Sequence, residues 1–308
     1  MPLHVPTPLI ESRSMSAASG RTVFVKPEAL QPSGSFKIRG IGLLCEEHAH
    51  RGAQRFISSS GGNAGIAVAY AERMLNSPVV VVVPETTTER AKSIIHKENA
   101  EVIVHGASWQ EANELALSMV GPSDAFIPPF DHPRIWTGHA TVIDEIAQSG
   151  VIPDAVVVSV GGGGLLCGVV EGLHRNGMNA VPVIAVETEG AASLHASIQA
   201  HKRVELPSIT SIATTLGAKK VAERAFTYTK EHEIKSIVVS DAHAVSASLR
   251  FMDDHRIVVE PACGAALAAV YDDSPALHGY NTVVCIACGG VTMSVEHLQA
   301  HAKRLCAV

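Results

Sequence analysis

Four short segments of the chain carry residue types that could do chemistry. The first is Ser33-Gly-Ser-Phe36-Lys37-Ile-Arg-Gly. A lysine serves as a covalent catalyst only when its amine is neutral, which burial and nearby positive charge favour. Lys37 lies between Phe36 and Ile38 after a tight Pro-Ser-Gly-Ser turn. That suits a desolvated amine at the mouth of a helix; the plainer alternative is a surface lysine opening that helix. The second segment is Ser58-Ser-Ser60-Gly61-Gly62-Asn63-Ala-Gly65. Amides at a helix N-terminus bind anions, and the glycines let a ligand approach the backbone. The Ser hydroxyls and Asn63 add directed donors, so a carboxylate suits the loop. A Ser/Asn helix cap with a flexible lead-in is the alternative. Three serines before two glycines are more than a cap needs.

The third segment is Gly161-Gly162-Gly163-Gly164, between an expected strand and an expected helix. Glycine is the costliest residue to order, so four in succession imply backbone amides wrapped around a phosphate and backed by the helix dipole. A tight turn alone would need one or two. The run lacks the Lys-Ser/Thr of a P-loop and the spacing of G-x-G-x-x-G, so triphosphate hydrolysis and a dinucleotide fold have little support. The fourth segment is Cys288-Gly-Gly, at the end of the last expected strand, where α/β sites gather. A buried structural thiol is the alternative there.

The elements that must position these segments follow from periodicity. β-branched runs at 55–58, 79–83, 101–105, 155–160, 181–186, 237–239 and 282–287 read as strands. Several are apolar on both faces, as for strands covered by helices on both sides. Amphipathic segments at 63–75, 88–97, 109–119, 135–148, 165–175, 244–254 and 263–271 read as helices between them. The alternation predicts an α/β fold of mainly parallel, open twisted sheets flanked by helices. Pro-rich breaks near Gln31-Pro-Ser-Gly and Ile127-Pro-Pro-Phe-Asp-His-Pro divide the chain. They predict a small domain of roughly a hundred residues, 34–134, inserted in a large domain made of 1–33 plus 135–308, with a ligand cleft between them.

Composition narrows the function further. The 308 residues are 46% hydrophobic, with a net charge of −6 and no basic stripe, so nothing points to nucleic acid. The first residues do not read as a signal peptide, and the longest apolar runs are too short to span a bilayer. A soluble, cytoplasmic protein with no membrane association is the expectation. Of six cysteines, only Cys285 and Cys288 form a C-x-x-C, without the second ligand pair a zinc site needs. The sixteen histidines scatter; His132, His139 and His243 read as surface or satisfied core groups, and Glu260 as a structural residue placing the turn before a helix.

Together the segments resemble the fold-type II pyridoxal-phosphate enzymes, the group of serine and threonine dehydratases. The matches run from Pro8-Leu-Ile through Ser-Phe-Lys37, Gly-Gly-Asn63-Ala-Gly, Ile-Pro-Pro129-Phe-Asp, Gly161–Gly164-Leu-Leu-Cys-Gly168 and Thr-Ser-Ile-Ala to Glu260-Pro-Ala-Cys-Gly-Ala-Ala-Leu. The resemblance implies that Lys37 is the Schiff-base lysine and that Phe36 stacks on the pyridine ring. It implies that Gly161, Gly162, Gly163 and Gly164 cradle the phosphate and that Asn63 bonds the cofactor's 3′-oxygen. Ser60, Gly61, Gly62 and Asn63 would hold the substrate carboxylate. Cys288 would face the pyridine nitrogen, where a neutral thiol makes the ring a weaker electron sink than an Asp would. The implied reaction is β-elimination of L-serine, and secondarily L-threonine, to pyruvate or 2-oxobutanoate and ammonia. In it, Lys37 removes the Cα proton and the cofactor phosphate protonates the leaving hydroxyl.

Two departures refine this. Gly61 stands where many threonine dehydratases and serine racemases carry a serine, which disfavours racemisation and makes dehydration the expected reaction. Glu187, Ala191 and Ser193 match the family's cation loop, but Ser193 stands where relatives that bind divalent metals carry an Asp. A single carboxylate suits Mg²⁺ poorly. A monovalent cation such as K⁺ is predicted instead, held by Glu187, Ser193 and backbone oxygens of Gly161, Ala191, Leu216 and Ala218. Threonine dehydratase, serine racemase, a β-replacement enzyme and a non-catalytic binder of the cofactor or another phosphate ligand are the rival readings. The resemblance also implies a homodimer, and no regulatory domain is expected.

Overall fold

The computed structural model describes residues 2–306. Ten strands form two sheets: β1 (Ile10–Glu11), β2 (Thr22–Pro27), β3 (Arg55–Ser58), β4 (Val79–Val83), β5 (Glu101–Val104), β6 (Asp124–Phe126), β7 (Ala155–Ser159), β8 (Val183–Thr188), β9 (Ile234–Val239) and β10 (Thr282–Ala287). The larger sheet runs β1-β2-β10-β7-β8-β9 and the smaller β5-β4-β3-β6. Every neighbouring pair is parallel except β1 with β2. All strands of the smaller sheet fall between β2 and β7 in sequence, so its chain segment is inserted into that of the larger.

The apolar runs explain the sheet interiors. β4 is five valines, all buried, and β7, Ala-Val-Val-Val-Ser, is buried throughout. Both faces must therefore be covered, and the helices do it. The Ala-rich helix Pro261–Tyr271 is buried along its whole length and packs against β7, β8 and β10. The helix Gly164–Arg175 packs on Pro133–Gln148, and the helix Lys37–His50 lies against both Pro133–Gln148 and Asn63–Leu75. Lys37 thus opens a helix shared by the two halves of the fold.

The α/β class and the seven expected strands are present, with shifted ends in four: β5 stops at Val104, β7 at Ser159, β8 spans Val183–Thr188 and β9 begins at Ile234. Three further strands, β1, β2 and β6, are also present. β2 contains Lys26 and Pro27, which mask its apolar alternation. Lys26 is nonetheless buried, because Glu145 accepts from its Nζ at 2.5 Å and the Thr7 carbonyl at 2.6 Å. Helices at Arg13–Ser19, Ser193–Gln199, Glu223–Glu231 and Val295–Cys306 were likewise not foreseen by periodicity. No described helix is long and apolar enough to cross a membrane.

Candidate active site

Lys37 is the first residue of its helix, and the half-buried side chain places Nζ 2.6 Å from the carbonyl of Pro129. Burial pulls its amine down to about 8, against a small opposing push from Cys288. Phe36 lies beside it, its ring centroid 5.2 Å from Nζ and 4.8 Å from the ring of His139. The segment before Lys37 is pinned to the end of β10. Ser35 bridges to Gly289, the Phe36 amide donates to the Cys288 carbonyl at 3.2 Å, and the Gly290 amide donates to Gly34 at 2.9 Å. The first and fourth segments are therefore joined by backbone.

The glycine turn follows β7. Gly163 is the N-cap of the helix Gly164–Arg175 with φ +89°, a left-handed conformation that costs any L side chain. The neighbours leave no room either. A Cβ on Gly161 would stand 2.9 Å from the Leu216 Cα, on Gly162 2.5 Å from the Phe130 ring, and on Gly164 2.7 Å from the Phe130 carbonyl. Phe130 follows Pro129, so one strap of chain touches both Lys37 and the glycine turn. The amides of Gly161–Gly164 find no partner among the described residues, as expected of a turn kept open for an anion.

The Ser60–Asn63 loop enters the helix Asn63–Leu75 through Gly62. The Gly62 amide donates to Ser60 Oγ at 3.3 Å. At Gly61 a Cβ would stand 2.6 Å from both the hydroxyl and the methyl of Thr87, so that side chain occupies the space. Asn63 is buried; its Nδ2 donates to Glu260 Oε2 at 3.0 Å and its Oδ1 accepts from the Val291 amide at 3.3 Å. This joins the second segment to the fourth. Gly62 also approaches Thr215, in the same loop as the Leu216 that meets Gly161. All four segments converge at one place.

The segment expected from sequence to hold a cation is built more loosely. Glu187 is fully buried, and its carboxylate accepts from the amides of Leu194 and His195 at 2.8 and 2.7 Å, so it caps the helix Ser193–Gln199. Burial pushes it up to about 7, with those two amides opposing. Ser193 Oγ is buried without a partner. Gly161 meets Leu216, and Ala218 donates to the Leu216 carbonyl at 2.7 Å. Among the described residues no cluster of three or more His, Cys, Asp or Glu could hold a metal.

Two residues differ from their sequence reading. His139 is neither at the surface nor satisfied: it is fully buried and both ring nitrogens lack partners. Burial, then the nearby positive charges of Lys37, Arg39 and His4, hold it well below its ordinary value, hence neutral. Glu260 precedes its helix as expected, but its side chain does not cap it. It accepts from Asn63, from Thr215 Oγ1 at 2.9 Å, and from the amide and hydroxyl of Thr292. His132 caps its helix through Nδ1, and His243 pairs with Asp272 at the surface.

An amine made less basic by burial, beside an open glycine turn and a loop of amide and hydroxyl donors, fits an aldehyde cofactor bearing a phosphate. The comparisons agree. The sequence model of the pyridoxal-phosphate dependent enzyme family matches residues 1–289. The chain belongs to that family. It is 47% identical to the human L-serine dehydratase/L-threonine deaminase, over 99% of this chain and 96% of that protein. It is 43% identical to the Dictyostelium discoideum L-serine dehydratase, over 96% and 91%. Among solved structures, the L-serine ammonia-lyase of the fungus Rhizomucor miehei superposes with a TM-score of 0.93 at 35% identity, covering 99% of both chains. Maize serine racemase superposes with a TM-score of 0.86 at 26% identity, over 98% of this chain and 94% of that one.

Proposed function

We propose that this chain eliminates water from L-serine, yielding pyruvate and ammonia, with L-threonine as a secondary substrate. The convergence of Lys37, the Ser60–Asn63 loop, the Gly161–Gly164 turn and Cys288 carries the reading. The curated relatives named for serine dehydration and threonine deamination support it. The residues present fit pyridoxal phosphate. Amides of Gly161–Gly164 would hold its phosphate, Phe36 would lie on its ring, Cys288 would face the ring nitrogen and Asn63 would bond the 3′-oxygen. Lys37 would hold the group as a Schiff base until the substrate's amine takes its place, which frees Nζ, and the group would then supply an electron sink for the bond broken at Cα.

The chain's own residues do the rest. Amides and hydroxyls of Ser60–Asn63 hold the substrate carboxylate and orient the Cα–H bond. Lys37 Nζ, made less basic by burial, takes the Cα proton. The β-hydroxyl leaves as water, the Cα proton taken by Lys37 making up the one that the water carries away, and the released enamine takes up water to give pyruvate and ammonia. Cys288 is kept in its neutral thiol form by the free Cys263 thiol beside it and by burial, so it lends the ring nitrogen no charge. With Gly61 and Thr87 on the far side, no ionisable side chain at position 61 returns a proton to the opposite face, which favours elimination over racemisation.

Other parts of the reading rest on the Pro-rich breaks of the sequence, on the character of its first residues and apolar runs, and on the resemblance. Lobe limits of 34–134 against 1–33 plus 135–308 are supported by the membership of the two sheets. A monovalent cation held by Glu187, Ser193 and the carbonyls of Gly161, Ala191, Leu216 and Ala218 is supported by the orphaned Ser193 hydroxyl. K⁺ is then expected to raise activity and melting temperature over a bulky organic cation; equal values in both salts remove the cation. A cytoplasmic homodimer completes the reading, and its mass in solution tests the second half.

Purified protein loaded with pyridoxal phosphate is expected to show the cofactor's visible absorbance and to release pyruvate from L-serine, while Lys37→Ala does neither. A band without pyruvate would move the function to another amino acid or to β-replacement. No band would remove the cofactor assignment.

A further inference from the structure

Glu260 is 2% exposed and lies 197 residues from Asn63 in sequence, yet the two side chains meet. An ionised carboxylate accepts about four hydrogen bonds, and Glu260 receives four. Asn63 Nδ2 and Thr215 Oγ1 donate to Oε2; the Thr292 amide and hydroxyl donate to Oε1. It thereby ties together the three loops that ring the site: the one before the helix Asn63–Leu75, the one holding Thr215 and Leu216, and the one after β10. Gly290 is left-handed (φ +122°) and a Cβ there would stand 2.2 Å from the Glu260 carboxyl carbon, so the chain bends to admit this carboxylate.

The consequence falls on Asn63. Val291 offers an amide hydrogen, so only the Asn63 oxygen can face it. Glu260 offers only lone pairs, so only the Asn63 nitrogen can face that side. Both neighbours enforce one orientation of the carboxamide, and the remaining N–H is its only uncommitted donor. We infer that Glu260 is a positioning residue, which by fixing the Asn63 carboxamide makes Asn63 a donor to the cofactor's 3′-oxygen and so favours that oxygen ionised. This rests on the cofactor reading above. A donor aimed at a charged acceptor is worth more than one aimed at a neutral acceptor. The other titratable groups of this cluster are Cys288 and, beside it, Cys263 and Lys37.

Glu260→Gln keeps the shape but makes one end a donor. That end opposes either the Thr292 amide or Asn63 Nδ2, and in both cases Asn63 exchanges a charged acceptor for a neutral one or for none, so its anchor weakens. Cofactor-loaded wild type, E260Q, N63A and the double variant are titrated by absorbance, following the band of the ionised 3′-oxygen against that of the neutral form. The midpoint in E260Q is expected about one pH unit higher, as for one weakened bond to a charged group. N63A is expected to shift it as far, and the double variant no further, because Glu260 acts through Asn63. An unshifted midpoint in E260Q, or shifts that add in the double variant, overturns the inference. Should E260Q not fold, Glu260→Asp withdraws the carboxylate by one methylene while keeping its charge. A raised midpoint is again expected, and an unshifted one overturns the inference. A wild type that takes up no cofactor overturns the functional reading as well, before any variant is compared.

Discussion

Lys37 meets two requirements at once: it must lose its proton near neutral pH and still reach the cofactor. Burial meets the first, pulling the amine to about 8, and the Pro129 carbonyl holds Nζ in place. Only the neutral amine can attack an aldehyde. Cofactor capture by cofactor-free protein should therefore accelerate as pH rises through about 8 and level off above it. A rate still climbing toward the ordinary lysine value of about 10.4 would mean that the amine is not desolvated. Stability carries the same sign. Between these two values the folded protein holds Lys37 neutral while the unfolded chain protonates it, so unfolding takes up a proton and stability rises with pH across that window. The meeting of the Lys37, Asn63, four-glycine and Cys288 segments was anticipated from sequence, the glycine run by its composition and the roles of Lys37, Asn63 and Cys288 only through the family resemblance. Glu260 and the strap residue Phe130 were not, since their partners are long-range: Thr215 and Thr292 lie 45 and 32 residues from Glu260. The orphaned nitrogens of His139 were equally hidden, because nothing local says that an imidazole will be sealed between Phe36 and the Gly40 and Gly168 backbones.

At the scale of elements, the glycine turn after β7 is where backbone conformation becomes function. Gly163 needs its left-handed φ, and a Cβ there would stand 2.6 Å from the Ala225 methyl. Gly163→Ala should therefore pay conformational strain of about 1–2 kcal/mol plus a clash, and should weaken cofactor binding by tilting the amides. Gly177 is the control: it is also left-handed, at φ +73°, but nothing lies within 4 Å of its Cβ position. Gly177→Ala should lose stability only and keep its affinity. Melting temperatures and cofactor titrations of the two proteins separate the effects; equal affinity loss in both would mean that the turn is not the cradle. The strand–glycine–helix unit was readable because an all-apolar strand, four glycines and an amphipathic run follow one another without interruption. β2 was not, because Lys26 and Pro27 break its pattern and only the tertiary partner Glu145 makes a buried lysine tolerable.

At the scale of the whole molecule, the helix that carries Lys37 must be fixed to the sheet that carries the glycine turn, or amine and phosphate would part. The fastening is a buried charge cluster. Arg39, fully buried two residues after Lys37, donates through Nε and Nη2 to Glu28 at 2.6 and 2.8 Å. Through Nη1 it donates to Glu145 at 2.6 Å and to Thr141 at 3.0 Å. Burial alone would lower Arg39, but its bonds to Glu28 and Glu145 outweigh it and hold the guanidinium charged. Lys26 on β2 adds its own bond to Glu145, and Thr7 of the leading segment donates to Glu28. Two cations thus meet two carboxylates where the chain's start, the larger sheet, the Lys37 helix and the helix Pro133–Gln148 come together. Replacing such a cluster whole can be neutral, whereas removing one member strands a buried charge at about 3–5 kcal/mol. Arg39→Met keeps most of the volume and leaves Glu28 without its one cationic partner among the described residues, so the unfolding free energy measured in denaturant should fall by that amount. The exposed pair Arg73–Glu98 is the comparison, and Arg73→Met should cost at most about 1 kcal/mol. If both substitutions cost the same, the cluster does not fasten the halves together. The position of Lys37 would then depend on the Pro129 strap and the Ser35–Gly289 bridge alone.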